Sequence, residues 1–112
     1  MEEFKQGDFF KVPFSFSDQS GEKSRLVVVV SKSRSSKGDY IVCKCTATLE
    51  NDTYSYPLLD SKLTLALPKK CEVRMNVIAT IHESTIIKLK QPCSIKEEYL
   101  GEFISKVVSF IK

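Results

Sequence analysis

Four consecutive valines, Val27 to Val30, sit inside the run RLVVVVS at residues 25–31. β-Branched side chains are stiff at χ1 and crowd a helix, so this run predicts a strand, and its unbroken apolar character places that strand centrally in its sheet. A second apolar run, YIVCKCTAT at residues 40–48, follows across the basic loop KSRSSKGD at residues 32–39. Two strands joined by so short a polar loop pair antiparallel. Pattern then proposes the register. With Ser31 facing Tyr40, Val30 meets Ile41, Val28 meets Cys43 and Leu26 meets Cys45, all apolar and hence the core face. On the other face Val29 meets Val42, Val27 meets Lys44 and Arg25 meets Thr46. A slip of one residue would put core side chains against solvent, so the parity is fixed by the pattern.

The other elements follow from periodicity and turn chemistry. Residues 8–16 read as a strand in which Phe10, Val12, Phe14 and Phe16 share one face, with Pro13 on the other suggesting an edge or a bulge. The segment SDQSGEKS at residues 17–24 is too rich in Ser, Asp and Gly to pack. Past the turn signal Glu50-Asn51-Asp52, a short strand is expected at residues 54–58. A helical turn ended by Pro68 is expected within residues 59–70, and two further strands at residues 72–78 and 84–90. Pro92 ends the sheet region. Ser94 and Glu97 have the spacing of a capping box. Tyr99, Leu100, Phe103, Ile104, Val107, Val108 and Ile111 then repeat at helical spacing, a stripe that needs a sheet to lie on. Gly101 within it suggests close packing. The expected fold is mainly β (α+β): one domain over residues 1–112, a small, strongly bent antiparallel sheet or open barrel with a C-terminal amphipathic helix.

The net charge of +3 argues against a protein that coats nucleic acid by charge alone, though a local basic face is compatible with it. There is no run of about 18 or more apolar residues and no signal-peptide layout, so the expectation is a cytoplasmic protein with no membrane partner. Cys43 and Cys45 alternate within an apolar run, and Cys71 and Cys93 stand alone. That spacing is unlike paired zinc knuckles, with or without the sole histidine, His82, and reads as small buried hydrophobes. Tyr54 and Tyr56 have the chemistry to stack bases, with sheet packing as the ordinary alternative.

The chemistry carried by the proposed hairpin is phosphodiester cleavage. A guanidinium offers phosphate a planar donor fork and stays charged at every biological pH. A hydroxyl beside it can donate to a non-bridging oxygen as charge builds. RNA brings its own nucleophile, the 2′-hydroxyl, so positioning and proton transfer suffice. Taken alone, an Arg and a Thr on a sheet surface are as readily a solvated face.

At these residues the sequence resembles the MazF/PemK toxins of type II toxin–antitoxin systems, closest to the PemK-like branch. GDFFKVPFSFSDQSGEKSR at residues 7–25 is similar to the family's Gly-Asp strand, aromatic stretch and Ser/Gly loop, and RLVVVVS follows. VCKCTAT at residues 42–48 resembles the strand that ends in the catalytic Thr. CEVRMNVIATIHESTI at residues 71–86 resembles the V-R-x-x-x-I-x-T-I/L segment. The resemblance implies an SH3-like barrel that forms a homodimer, an mRNA interferase that cuts single-stranded RNA without a metal or other cofactor to leave a 2′,3′-cyclic phosphate, and an antitoxin that silences it. It assigns catalysis to Arg25 and Thr46, the pair that the register had already set opposite each other. It is compatible with RNA contacts from Lys23, Lys44, Asp18 and His82. The chain departs from the family pattern at Ser24, Leu26, Ala47, Thr48, Ser20 and Ala79, where basic, Pro, Ser/Thr, Gln, acidic and Arg residues are common. An alternative on the same fold is a non-catalytic RNA binder or a gyrase-directed toxin of the CcdB type. The absence of Trp and the ending Ser-Phe-Ile-Lys differ from the Trp-Gly-Ile tail of that type.

Overall fold

The computed structural model describes residues 4–14, 23–32 and 38–111. Five antiparallel strands, β1 (Phe9–Phe14), β2 (Lys23–Lys32), β3 (Asp39–Thr46), β4 (Ser55–Pro57) and β5 (Glu72–His82), form one sheet in the order β1-β2-β3-β5-β4. One helix, α1 (Glu97–Ser109), follows. The sheet is bent but not closed. Isolated bridges Asp8–Ser94 and Lys11–Ile87 attach the chain before α1 to β1 and its approach, and Leu63–Ile95 ties in the β4–β5 connection. The mainly β architecture with a terminal helix is the one expected from the pattern. Asp18, Ser20 and Phe16 lie outside the described residues, as does most of the 17–24 loop.

The valine run is buried on both faces, which is why it does not alternate. Val28 and Val30 join Phe9, Cys43, Cys45, Tyr56, Val73 and Met75 in a first core, covered by Phe103 and Val107 of α1. Val27 and Val29 join Phe10, Val12, Tyr40 and Val42 in a second, smaller core on the opposite face, with Phe4, Ala79, Ile81 and Ile86 at its margin. At about 1.5–3 kcal/mol for each fully buried aliphatic side chain, the run anchors both layers. The expectation of one core face and one open face is corrected: the second face is open only beyond this smaller core. Tyr56 is fully buried, so it is no stacking platform, while Tyr54 is exposed and its ring lies 5.1 Å from that of Phe110.

Two irregularities shape the sheet. The β2–β3 ladder pairs Val27 with Lys44, Val28 with Cys43 and Val29 with Val42, as read from the pattern. It then spends one extra residue at Val30, so that Ser31 meets Ile41 and Lys32 meets Tyr40 instead of the expected Ser31–Tyr40 and Val30–Ile41 pairs. The bulge keeps Val30 on the first-core side. In β5 residues 75–77 are extra: Cys43 pairs with Ile78, but Lys44 pairs with Arg74. Met75 turns its N–H to the Tyr54 carbonyl at 2.9 Å and its side chain into the first core. This bend lets β4 cover only the first part of β5.

Four local expectations are corrected. The strand expected at residues 84–90 is a 3₁₀ turn, Glu83–Thr85, followed by a single bridge at Ile87. Here Ser84 N–H donates to His82 Nδ1 and Thr85 Oγ1 to the His82 carbonyl, local bonds that compete with a ladder. No capping box forms, because Ser94 Oγ donates to Asp8 Oδ1 at 2.6 Å and Lys96 occupies the N-cap position without a side-chain bond. Glu97 and Glu98 still complement the positive end of α1. Gly101 has open space around it rather than a close neighbour. The helical turn expected within residues 59–70 is the single 3₁₀ turn Asp60–Lys62.

Candidate active site

Two rows of side chains cross the sheet at the end of the second core. In the first, Phe10 is opposite Val27, Val27 opposite Lys44, Lys44 opposite Arg74 and Arg74 opposite Ser55. In the second, Val12 is opposite Arg25, while Thr46 is opposite Glu72 and Glu72 opposite Pro57. The β2–β3 ladder itself ends at Val27 and Lys44. Carried two residues further, its register sets Arg25 against Thr46 and joins the halves of the second row. Directly opposed residues share a face, and Val12 belongs to the second core, so Arg25 lies on that face independently of the β3 register. Lys44, opposite Val27 of the same core, lies there too, with Thr46 one alternation on. All three are half-buried, and the Arg25 Nε is buried.

Thr46 is the last residue of β3, and its Oγ1 accepts the N–H of Thr48 at 3.1 Å. That bond occupies a lone pair and leaves the hydroxyl proton for another acceptor.

Beside Thr46 lies a network that sequence reading did not single out. Glu72 is 1% exposed. Its Oε1 accepts the N–H groups of Glu50 at 3.2 Å and Asn51 at 3.3 Å. Its Oε2 accepts Ser55 Oγ at 2.6 Å and Arg74 Nη1 at 2.9 Å. Burial alone would raise the Glu72 carboxyl, but Ser55, Arg74 and the two backbone donors outweigh it and hold the group below its ordinary value. Arg74 also grips Asp52 with both Nη atoms, at 2.9 and 3.1 Å, a two-pronged pair that keeps the Asp52 carboxyl low and the guanidinium firmly charged. Arg74 therefore faces Lys44 as a cation already shared between two carboxylates. The signal for this network was present as Glu-x-Arg at residues 72–74, which puts both side chains on one strand face.

The remaining sequence-proposed residues are dispersed. Lys23 opens β2 opposite Phe14 by its backbone. His82 pairs with Asp39 at the other end of β3, seven residues from Thr46, or about 23 Å at the usual strand rise. There it borders an open cleft of about 440 Å³ with Phe4, Tyr40, Glu83, Ser84, Ile86 and Lys88. The structure thus brings together Arg25, Lys44 and Thr46 but not His82. Cys43, Cys45 and Cys93 are buried in the first core, and burial pushes the Cys43 thiol up to about 12. Among the described residues no group of three or more His, Cys, Asp or Glu side chains is arranged to hold a metal ion, and no helix is long and apolar enough to cross a membrane.

The bent five-stranded sheet with its terminal helix is the architecture of the MazF-type toxins. A MazE–MazF complex from Deinococcus radiodurans is similar to this chain with a TM-score of 0.72 at 15% identity, over 98% of this chain and 97% of that one. An endoribonuclease in complex with its cognate antitoxin from a mycobacterial species gives 0.67 at 11% identity, over 95% and 92%. The Mycobacterium tuberculosis toxin MazF-mt6 gives 0.56 at 16% identity, over 89% and 95%. At such identities the likeness is one of fold. No curated protein matches the sequence. The family model is decisive: residues 5–109 match the PemK-like, MazF-like toxins of type II toxin–antitoxin systems, and the chain belongs to that family.

Proposed function

We propose that this chain is a metal-independent endoribonuclease toxin that cleaves single-stranded RNA and is neutralised by a cognate antitoxin. The observation that carries the reading is the placement of Arg25 on the same sheet face, and at the same end, as Lys44 and Thr46. In this mechanism the RNA 2′-hydroxyl attacks the adjacent phosphorus and its proton passes, by way of a non-bridging phosphate oxygen, to the 5′-oxygen, which leaves as the 5′-hydroxyl and gives a 2′,3′-cyclic phosphate. Arg25 holds the scissile phosphate and neutralises it, and its guanidinium, charged throughout, takes part in the proton transfer as a hydrogen-bond donor to the oxygens between which the proton moves. Thr46 donates its hydroxyl proton to a non-bridging oxygen, where charge accumulates in the transition state. Lys44 contacts the RNA strand, and Lys23 and Asp18 are carried as further RNA contacts on the family resemblance alone. His82 would meet RNA only if the bound strand ran the length of β3.

Family membership supports an antitoxin partner, and a cationic face favours an acidic or amphipathic segment as its occupant. The fold shared with an endoribonuclease–antitoxin complex supports the same reading, and the active unit is proposed to be a cytoplasmic homodimer. The test is incubation with single-stranded RNA in excess EDTA beside an Arg25→Ala control. Cleavage that persists in chelator and is lost in the variant is expected. RNA left intact by the unaltered protein, whether bound or not, would refute the proposal.

A further inference from the structure

From its geometry we infer that Glu72 is a positioning residue for Thr46, acting through the turn that follows β3. This rests on the nuclease reading above. A carboxylate as buried as Glu72 is costly unless its lone pairs are filled, and here four donors fill them. Two of those donors are the N–H groups of Glu50 and Asn51, on the return of the 47–52 turn. That turn also carries Thr48, whose N–H is bonded to Thr46 Oγ1. Asn51 sits in the left-handed region at φ 51°, which Asn adopts more readily than most residues and which marks the bend of the turn. The sequence of contacts therefore runs from Glu72 through the Glu50 and Asn51 amides to Thr48 and on to the Thr46 hydroxyl. Glu72 is itself opposite Thr46 in the ladder, so the carboxylate and the hydroxyl it orients have a common strand frame.

The two carboxylate oxygens have separate duties: Oε1 holds the turn, and Oε2 takes Ser55 and Arg74. This separation predicts an order of effects that charge alone does not. Glu72→Gln can keep its carbonyl oxygen on the turn, while its amide displaces Arg74 Nη1 from that corner and takes its place as donor to the Ser55 hydroxyl; Arg74 retains Asp52, which it holds with both Nη atoms. Glu72→Asp keeps the charge but withdraws both oxygens by about one methylene. The long Arg74 side chain can follow that withdrawal. The backbone of the turn, already at 3.2 and 3.3 Å, cannot.

The experiment compares initial rates of single-stranded RNA cleavage over a range of RNA concentrations in EDTA for the intact protein, Glu72→Gln and Glu72→Asp, with amide hydrogen exchange at Thr48 and Asn51. Expected are a kcat for Glu72→Gln within about threefold of the intact protein, and a kcat for Glu72→Asp lower by about 10- to 100-fold at nearly unchanged KM, with faster exchange at both amides. Equal losses in both variants, a loss confined to KM, or full activity in Glu72→Asp would overturn the inference. Should one variant fail to fold, the other still decides, since each has its own expected kcat and exchange pattern. An intact protein that does not cut at all would instead refute the nuclease reading, so the two failures are distinct.

Discussion

Replacing Thr46 by Val separates what this residue does for the fold from what it does for RNA. The change is nearly isosteric and keeps a β-branched side chain at the end of β3. Structurally it removes one acceptor, the Oγ1 that receives the Thr48 N–H at 3.1 Å. The turn is exposed, so water can take over that donor, and the cost is bounded by the net value of one hydrogen bond, about 0.5–1.5 kcal/mol. For a chain of 112 residues an unfolding entropy of about 2.1 cal/mol/K per residue turns 1 kcal/mol into about 4 °C, so the Tm should fall by no more than about 6 °C. Chemically the same substitution removes the donor to the phosphate oxygen, a loss of about 2.7–4 kcal/mol of transition-state stabilisation, or 100- to 1,000-fold in rate. Thermal unfolding followed by circular dichroism, beside initial rates on single-stranded RNA in EDTA, measures both effects. A rate within about threefold of the unaltered protein would refute the reasoning, as would a rate loss that merely tracked unfolding.

Three further predictions concern the scaffold. Phe103 is fully buried with its ring 5.0 Å from that of Tyr56, so Phe103→Ala should cost about 3–5 kcal/mol, while Val108→Ala on the exposed side of α1 should change urea stability by less than about 0.5 kcal/mol. Burial lifts Cys43 from 9.0 to about 12 and Tyr56 from 10.0 to about 12. Above their ordinary values the unfolded chain has released these protons and the folded chain has not. Stability is therefore fully present below about pH 9 and declines up to about pH 12, by roughly 4 kcal/mol from Cys43 alone, and Cys43→Ala should flatten the slope measured by urea titration from pH 8.5 to 11. Glu72 and Asp52 act with the opposite sign. Their depressed carboxyls contribute stability above their ordinary values of 4.5 and 3.8, and that contribution is lost as pH falls through the lower folded values, so Glu72→Gln should weaken the acid-side slope.

Local pattern carried the core hairpin a long way. The unbroken valine run and the alternation of residues 40–46 were enough to pair Val27 with Lys44 and Val29 with Val42, because a one-residue slip would have exposed core residues. The same pattern did not reveal the bulge at Val30 or the three-residue insertion at residues 75–77. Both preserve which residues are buried while changing who faces whom. Nor could it reveal that Ser94 is spent on Asp8, a partner far away in sequence, rather than on capping α1. The second core was missed for a related reason: the face of Val27 and Val29 is covered by Phe10, Val12 and Phe4, and its burial depends on strand order. At the candidate site, alternation made legible that Arg25, Lys44 and Thr46 share a sheet face. The role of Glu72 was not legible, because Glu-x-Arg on one strand face reads as an ordinary surface pair until four donors converge on the carboxylate.

The proposed cleavage requires Arg25 and Thr46 to act on one phosphate, and a double-mutant cycle measures that directly. Single-turnover cleavage is compared for the unaltered protein, Arg25→Ala, Thr46→Val and the double variant, all in EDTA. If both side chains serve the same transition state, the double variant should lose little more rate than the worse single variant. Losses that multiply would mean that the two residues work apart, and would contradict the site described here.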